Sequence, residues 1–250
     1  MLIRRFPNEI PLHIFTLCCA ENDLAITESP WDRDGTGNAL AISRVCALWR
    51  RLALSHSQLW SSFAVHLRNF YDSTRGKSGL QIFEEIAALV LLYLKRSKDL
   101  PLTLDISTDE ETVSTGNNWL PISEHPALLP IVEASRRWKH LTYQGKKFFC
   151  DILARLEGME LPMLESVTFI GNTDDREAIP NTHMFRLAPR ITRLSFRNIT
   201  LRDNMITTWS SLADLKCDLS GWLWVVLHYC PSLTHLTIRR DEASPDFIQG

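Results

Sequence analysis

Apolar residues recur at helical spacing near the start of the chain and at strand spacing through its second half. In RRFPNEIPLHIFTLCC, Phe6, Ile10 and Ile14 fall four apart on one helical face, and Leu12 and Phe15 fall on another. Pro7 suits a first helical position, where its missing N–H has no partner to lose. Pro11 does not suit a helix begun at Pro7: it would crowd the Pro7 carbonyl at a cost of about 3 kcal/mol. Two starts stay open: a helix from Pro7 that bears this cost, or a helix starting at Pro11 with Ile10 extended. Residues 20–38 are polar and broken by Pro30, Gly35 and Gly37, which predicts a long loop. Residues 39–54 return to helical period, with Ile42, Val45, Cys46, Trp49, Leu52 and Ala53 on one stripe and Arg44, Arg50 and Arg51 off it. His56, Ser57 and Gln58 make a short break before Leu59 and Trp60. About three short helices result. A unit of roughly 55 residues buries only about 60% of its surface and is marginal alone. Its tryptophans are therefore expected partly to hold it together and partly to await another chain.

A long apolar helix is predicted over residues 80–95, then a strand over residues 100–106 and a polar loop over residues 107–118. From there the chain repeats itself. RRWKHLTY, LPMLESVTF, APRITRLSF, WSSLADLKC and CPSLTHLTI align on Trp138, Leu164, Ile191, Leu212 and Leu233, in steps of 26, 27, 21 and 21 residues. Each core places apolar groups at the anchor, three beyond it and usually five beyond it. Pro162, Pro189 and Pro231 each stand two places before their anchor. This period and an L-x-x-L-x-L core are the signature of leucine-rich repeats, units that cannot cover their own apolar face and so stack. Helical connectors such as GWLWVVLHY at residues 221–229 fit between the strands. The polar tail DEASPDFIQG does not read as a cap, so the array is expected to be incomplete at its C-terminal end.

At 45% hydrophobic and 22% charged, the 250 residues are ordinary globular material, and a formal net charge of −2 gives no pull toward nucleic acid or membrane. The longest apolar run, IAALVLLYL, is nine residues, against about 20 for a membrane-spanning helix. Six cysteines form no C-x-x-C pair. Cys46, Cys217 and Cys230 lie in apolar surroundings, which suits free thiols in the cytosol or nucleus. No phosphate-binding loop, dinucleotide fingerprint, H-E-x-x-H or G-x-S-x-G occurs. His228, Cys230 and His235 lack the further ligands a zinc site needs. Asp174–Asp175 and Glu110–Glu111 read as solvated loop residues. No cofactor, metal site or catalytic group is expected, and the chain is not expected to be an enzyme.

The N-terminal residues resemble an F-box: Phe6, Pro7, Asn8, Glu9 and Ile10 with Leu12, Ile14 and Phe15, then Val45-Cys46-x-x-Trp49-Arg50, Leu52, Ala53 and the Leu59-Trp60 close. The rest is similar to the degenerate leucine-rich repeats that follow F-boxes in large fungal families, where a helix ending in R-S-x-x-L-P-L-x-L and an R-R-W-K-H-L segment are typical. The resemblance implies an α/β chain. It would have an F-box mini-domain at residues 1–68, a linking helix at 69–100, and an irregular repeat solenoid at 101–250. It also implies a substrate-recognition subunit of a Skp–cullin–F-box ubiquitin ligase. Phe6, Pro7, Ile10, Ile14, Val45, Cys46, Trp49, Leu52, Leu59 and Trp60 would meet a Skp-type adaptor and, through it, cullin. Along the repeats, alternation turns Thr192, Arg193, Ser195, Arg197, Lys216, Thr234, His235, Thr237 and Arg239 outward. Of these, Arg193, Arg197, Lys216, His235 and Arg239 are the candidate contacts to a protein substrate, and their charge favours acidic or phosphorylated partners. The alternative is a non-degradative scaffold or decayed paralogue with the same surfaces.

Overall fold

In a computed structural model the strands of the second half lie side by side in the order in which the chain makes them. The structure describes residues 7–20, 22–24, 37–67, 79–108, 112–114, 119–121, 124–145, 158–171, 187–199, 210–218, 228 and 230–239. Three helices come first: α1 (Glu9–Cys18), α2 (Asn38–Val45) and α3 (Ala47–Ser55), followed by a 3₁₀ turn at Ser57–Trp60. Then come β1 (Ser62–Leu67), α4 (Gly79–Arg96), β2 (Leu102–Thr108), the short pair β3 (Thr112–Ser114) and β4 (Trp119–Pro121), and α5 (Leu128–Glu133). Five further strands follow: β5 (Trp138–Gln144), β6 (Ser166–Ile170), β7 (Arg193–Arg197), β8 (Asp214–Asp218) and β9 (His235–Arg239). β1, β2 and β5 to β9 form one parallel sheet in that order, and β3 and β4 form a separate antiparallel pair.

The sheet owes its order to a repeated local device. Leu164, Ile191 and Leu233 each donate their backbone N–H to the carbonyl three residues earlier, on Leu161, Ala188 and Cys230. Pro162, Pro189 and Pro231 occupy the second position of these turns, where a fixed φ near −65° is an asset. The anchors Trp138, Leu164, Ile191 and Leu212 are buried, with at most 1% exposed. Register then stacks Leu104, Leu141, Val167, Leu194 and Leu215 in one inward row and Ile106, Tyr143, Phe169 and Phe196 in the next. A parallel sheet is commonly covered on both faces and reads as continuous apolar runs. Here β6 and β8 alternate half-buried with buried positions, so one face of the sheet is polar.

α4 buries Ile82, Phe83, Ile86, Ala87, Val90 and Tyr93, a stripe at helical spacing, and carries Lys95 and Arg96 in its last turn, where the macrodipole favours cations. Its end is closed from a distance. Arg137 donates to the carbonyls of Leu94 and Leu100 and to Ser97 Oγ, at 2.6 to 3.4 Å. The R-S-x-x-L-P-L and R-R-W-K-H-L segments are thus physically coupled: the arginine of the second caps the helix that the first ends.

Several expectations are corrected. α1 begins at Glu9, with Asn8 as its N-cap, so Pro11 falls in the first turn, where its missing N–H was unpaired anyway. Ile10 is helical; its N–H donates to the Pro7 carbonyl at 3.2 Å. The stretch 39–54 is two helices, because Cys46 is extended (φ −158°, ψ 170°) and its thiol accepts the Trp49 N–H. Cys46 is therefore exposed, as is Val45. β1 was not expected, β3 lies inside the predicted polar loop, and β4 begins directly after it. The N-terminal helices and the sheet share one continuous buried cluster running from Phe15 to Cys230, across the boundary drawn at residue 68. Most of the connector 221–229 and the tail beyond residue 239 lie outside the described residues.

His125 sits in this core against Phe83, ring centroids 4.7 Å apart, with Nδ1 accepting the Ala127 N–H at 3.1 Å. Nε2 is buried and has no partner among the described residues, and burial pushes the imidazole pKa down from 6.5 to about 4. The unfolded chain then binds the proton more readily than the folded one. Stability is fully present above about pH 7 and is lost as pH falls from 6.5 toward 4. The expected loss between pH 7 and pH 5 is about 2 kcal/mol. Urea unfolding at both pH values checks it: in His125→Asn the difference should shrink, and an unchanged difference would clear His125 of the effect.

Candidate functional site

Two surfaces stand apart from the core. The first is on the N-terminal helices. α1 is apolar on two sides: Pro11, Phe15 and then Cys19 face inward, while Ile10, Ile14 and Leu17 remain 46%, 52% and 66% exposed. A helix apolar all round is normally buried all round. Val45 and Leu54 add two more uncovered groups at 60% and 45%. Five of the ten large apolar side chains exposed among the described residues thus lie on α1 to α3. Trp49 is half-buried and meets Phe15 edge-on, centroids 4.8 Å apart.

The candidate adaptor contacts therefore separate. Pro7, Ile10, Ile14, Val45 and Cys46 are at the surface and Trp49 is half at the surface. Leu52, Leu59 and Trp60 are 5%, 2% and 0% exposed, built into the chain's own core rather than presented to a partner. Phe6 lies outside the described residues. Leu17 and Leu54 were missed, though Leu17 stands seven residues after Ile10, on the same helical face.

The second surface is the polar face of the sheet. Register brings His140, Ser166, Arg193, Asp214 and His235 into one row and Thr142, Thr168, Ser195, Lys216 and Thr237 into the next. Arg193, Arg197 and His235 are exposed, and Lys216 and Arg239 are half-buried. Alternation along β7 turns Arg193, Ser195 and Arg197 away from the buried Leu194 and Phe196. His140, Ser166, Thr168 and Asp214 were not singled out from the sequence; the repeat alignment holds the signal, since all five members of the first row stand two places after their anchors.

Over β5 to β8 this face dips into an open groove of about 320 Å³ lined by His140, Ser166, Val167, Thr168, Arg193, Leu194, Ser195, Asp214 and Lys216. His140 Nδ1 and Ser166 Oγ are 2.7 Å apart. Burial, then the charges of Lys139 and Arg193, hold the His140 imidazole below its ordinary pKa, with Glu165 opposing. Lys216 Nζ lies 3.9 Å from Asp214 Oδ2, and Lys139 Nζ lies 3.6 Å from Glu165. Neither Arg193 nor Arg197 has a carboxylate within ion-pair distance among the described residues. At the far end of the face, His66 bonds to Ser107 Oγ and its Nε2 lies 3.3 Å from Asp23 Oδ1. Burial raises the pKa of neighbouring Asp105, with His66 opposing. The β1–β2 end of the face is thus acidic and the β7–β9 end basic.

Among the described residues there is no cluster of three metal-ligating side chains and no helix long and apolar enough to cross a membrane. Cys217 and Cys230 are buried free thiols; burial raises both pKa values, that of Cys230 to about 11. The acidic pairs at 110–111 and 174–175 lie outside the described residues. A scan of known protein families, a search of curated proteins and a search of solved structures each return no match to this chain.

Proposed function

We propose that this chain is the substrate-recognition subunit of a Skp–cullin–F-box-type ubiquitin ligase. It docks to a Skp-type adaptor through α1 to α3 and holds a protein substrate on the polar face of a leucine-rich-repeat-like sheet. The carrying observation is that α1 is apolar on both sides while its own chain covers only one, leaving Ile10, Ile14 and Leu17 uncovered, with Val45 of α2 and Leu54 of α3 uncovered as well. Uncovered apolar groups concentrated in one unit mark an interaction site. Two features support the repeat reading: seven strands ordered as in the chain, and the Pro-containing turn repeated before β6, β7 and β9. Among the described strands the order never reverses, so their sheet has no switch-point crevice of the kind that holds ligands in doubly wound enzymes. Ubiquitin transfer would belong to other subunits.

Co-expression with a Skp-type adaptor, followed by size-exclusion chromatography, tests this reading. A one-to-one complex is expected, lost or weakened at least about 30-fold in Val45→Asp, which places a charge at an apolar contact. Trp49→Ala should weaken it too. Val45 is 60% exposed, so its substitution leaves the fold intact. A folded wild-type chain that forms no complex would pass the lead to the scaffold reading, in which the repeats bind protein without cullin-dependent turnover.

A further inference from the structure

The groove over β5 to β8 carries its charges in an unequal balance. Lys216 is held toward Asp214 and Lys139 toward Glu165, whereas the exposed guanidinium of Arg193 has no carboxylate partner among the described residues. Arg197 is in the same condition four residues along the same strand face, roughly 13 Å away at strand rise. The groove floor between them is made of short hydroxyl side chains, Ser166, Thr168 and Ser195, which donate hydrogen bonds and leave room for a backbone to approach. Burial and two neighbouring cations disfavour a protonated His140, so it adds no charge near neutral pH.

We infer that this groove anchors a carboxylate side chain of an extended acidic protein segment on Arg193, with Arg197 as the second cation along the strand. The inference rests on the reading of the sheet face as the substrate surface and names the chemistry of that substrate. One uncompensated cation in the groove suits one carboxylate. A phosphate dianion would bring two negative charges beside Asp214, whose own carboxylate already takes up the charge of Lys216. The guanidinium fork matches a carboxylate bidentately, with hydroxyl donors at hand for its remaining lone pairs. The acidic β1–β2 end, with Asp23 and Asp105, disfavours an anionic segment there and so confines it to β6 to β8.

Panning a phage-displayed random dodecapeptide library against the full chain supplies the probe, and fluorescence anisotropy of the selected peptides supplies the affinity. The selected pool should be enriched in Asp and Glu. Arg193→Glu should weaken binding about tenfold or more, while Arg136→Glu, which alters an exposed arginine outside the groove, should leave it unchanged. Three results would each overturn the inference: a pool without acidic enrichment, equal losses in Arg193→Glu and Arg136→Glu, or phosphoserine analogues that bind tenfold tighter than their glutamate counterparts. None of these depends on the adaptor. A chain that enters the adaptor complex yet selects no acidic peptide defeats this inference alone. One that selects acidic peptides yet ignores the adaptor defeats the ligase reading and leaves the groove standing.

Discussion

Replacing Asn22 by aspartate is expected to cost about 4 kcal/mol or more, a large part of the 5–15 kcal/mol that holds a domain folded. Asn22 is wholly buried and lies where five elements meet. Its Nδ2 donates to the carbonyls of Cys19, Leu59 and Ser62 at 2.8 to 3.0 Å. Its Oδ1 accepts the Ala39 N–H at 2.9 Å and the Tyr93 hydroxyl at 3.3 Å. The amide therefore joins the end of α1, the start of α2, the 3₁₀ turn, the start of β1 and the inner face of α4. Gly37 makes the approach of Tyr93 feasible: a Cβ there would lie 2.0 Å from the phenol oxygen, and its φ of 76° suits glycine. Aspartate keeps the shape and both acceptors. It loses every donor and sets a carboxylate among three carbonyl oxygens. Urea unfolding at pH 7 measures the cost. A midpoint equal to the wild type would show that the network is not holding these elements together. Because one side chain ties the helices to the sheet, wild-type unfolding should be a single transition by both tryptophan fluorescence and circular dichroism.

The parts of this fold that were legible in the sequence are those whose signal is local and repeated. β5 to β9 announced themselves through recurring anchors and prolines, and α4 through a long stripe of apolar residues at helical period. The break at Cys46 was not legible. Helical spacing runs unbroken through it, and an extended residue there depends on how α2 and α3 pack. β1 was missed for a different reason: its alternation, Phe63, Val65 and Leu67, is plain, but it follows the Leu59-Trp60 pair, which was read as facing a partner. β3 and β4 have three residues each, too few for a period to show. Of the polar face, the basic residues were found by their charge. Those that shape the groove, His140, Ser166 and Thr168, emerge only when the strands are set in register, since each belongs to an ordinary polar position of its own strand.

The two tryptophans of the N-terminal region are expected to answer differently to truncation. Trp60 belongs to the fold. Its indole N–H donates to the Ala53 carbonyl seven residues earlier at 2.8 Å, and Trp138 does the same to Ile131 at 3.1 Å just as its own strand begins. Both are 0% exposed. Trp60 thus serves β1 as Trp138 serves β5, as an anchor between a helix and the strand that follows. It also meets Tyr93 edge-on at 4.9 Å and carries the Arg96 guanidinium over its face at 4.3 Å. Trp60→Ala removes the ring, the bond to Ala53 and the π-face under a cation that has a buried nitrogen with no partner among the described residues. The expected loss is about 3–5 kcal/mol. Trp49, half-buried against Phe15, should cost about 1–2 kcal/mol in the same substitution while weakening the adaptor complex. Thermal unfolding read beside adaptor binding separates them. Trp60→Ala should lose binding only as far as it loses folded protein, and Trp49→Ala should lose it while folded. If Trp60→Ala kept the wild-type midpoint and still lost the adaptor, Trp60 would belong to the interface after all, and its burial in the free chain would have to be reversed on docking.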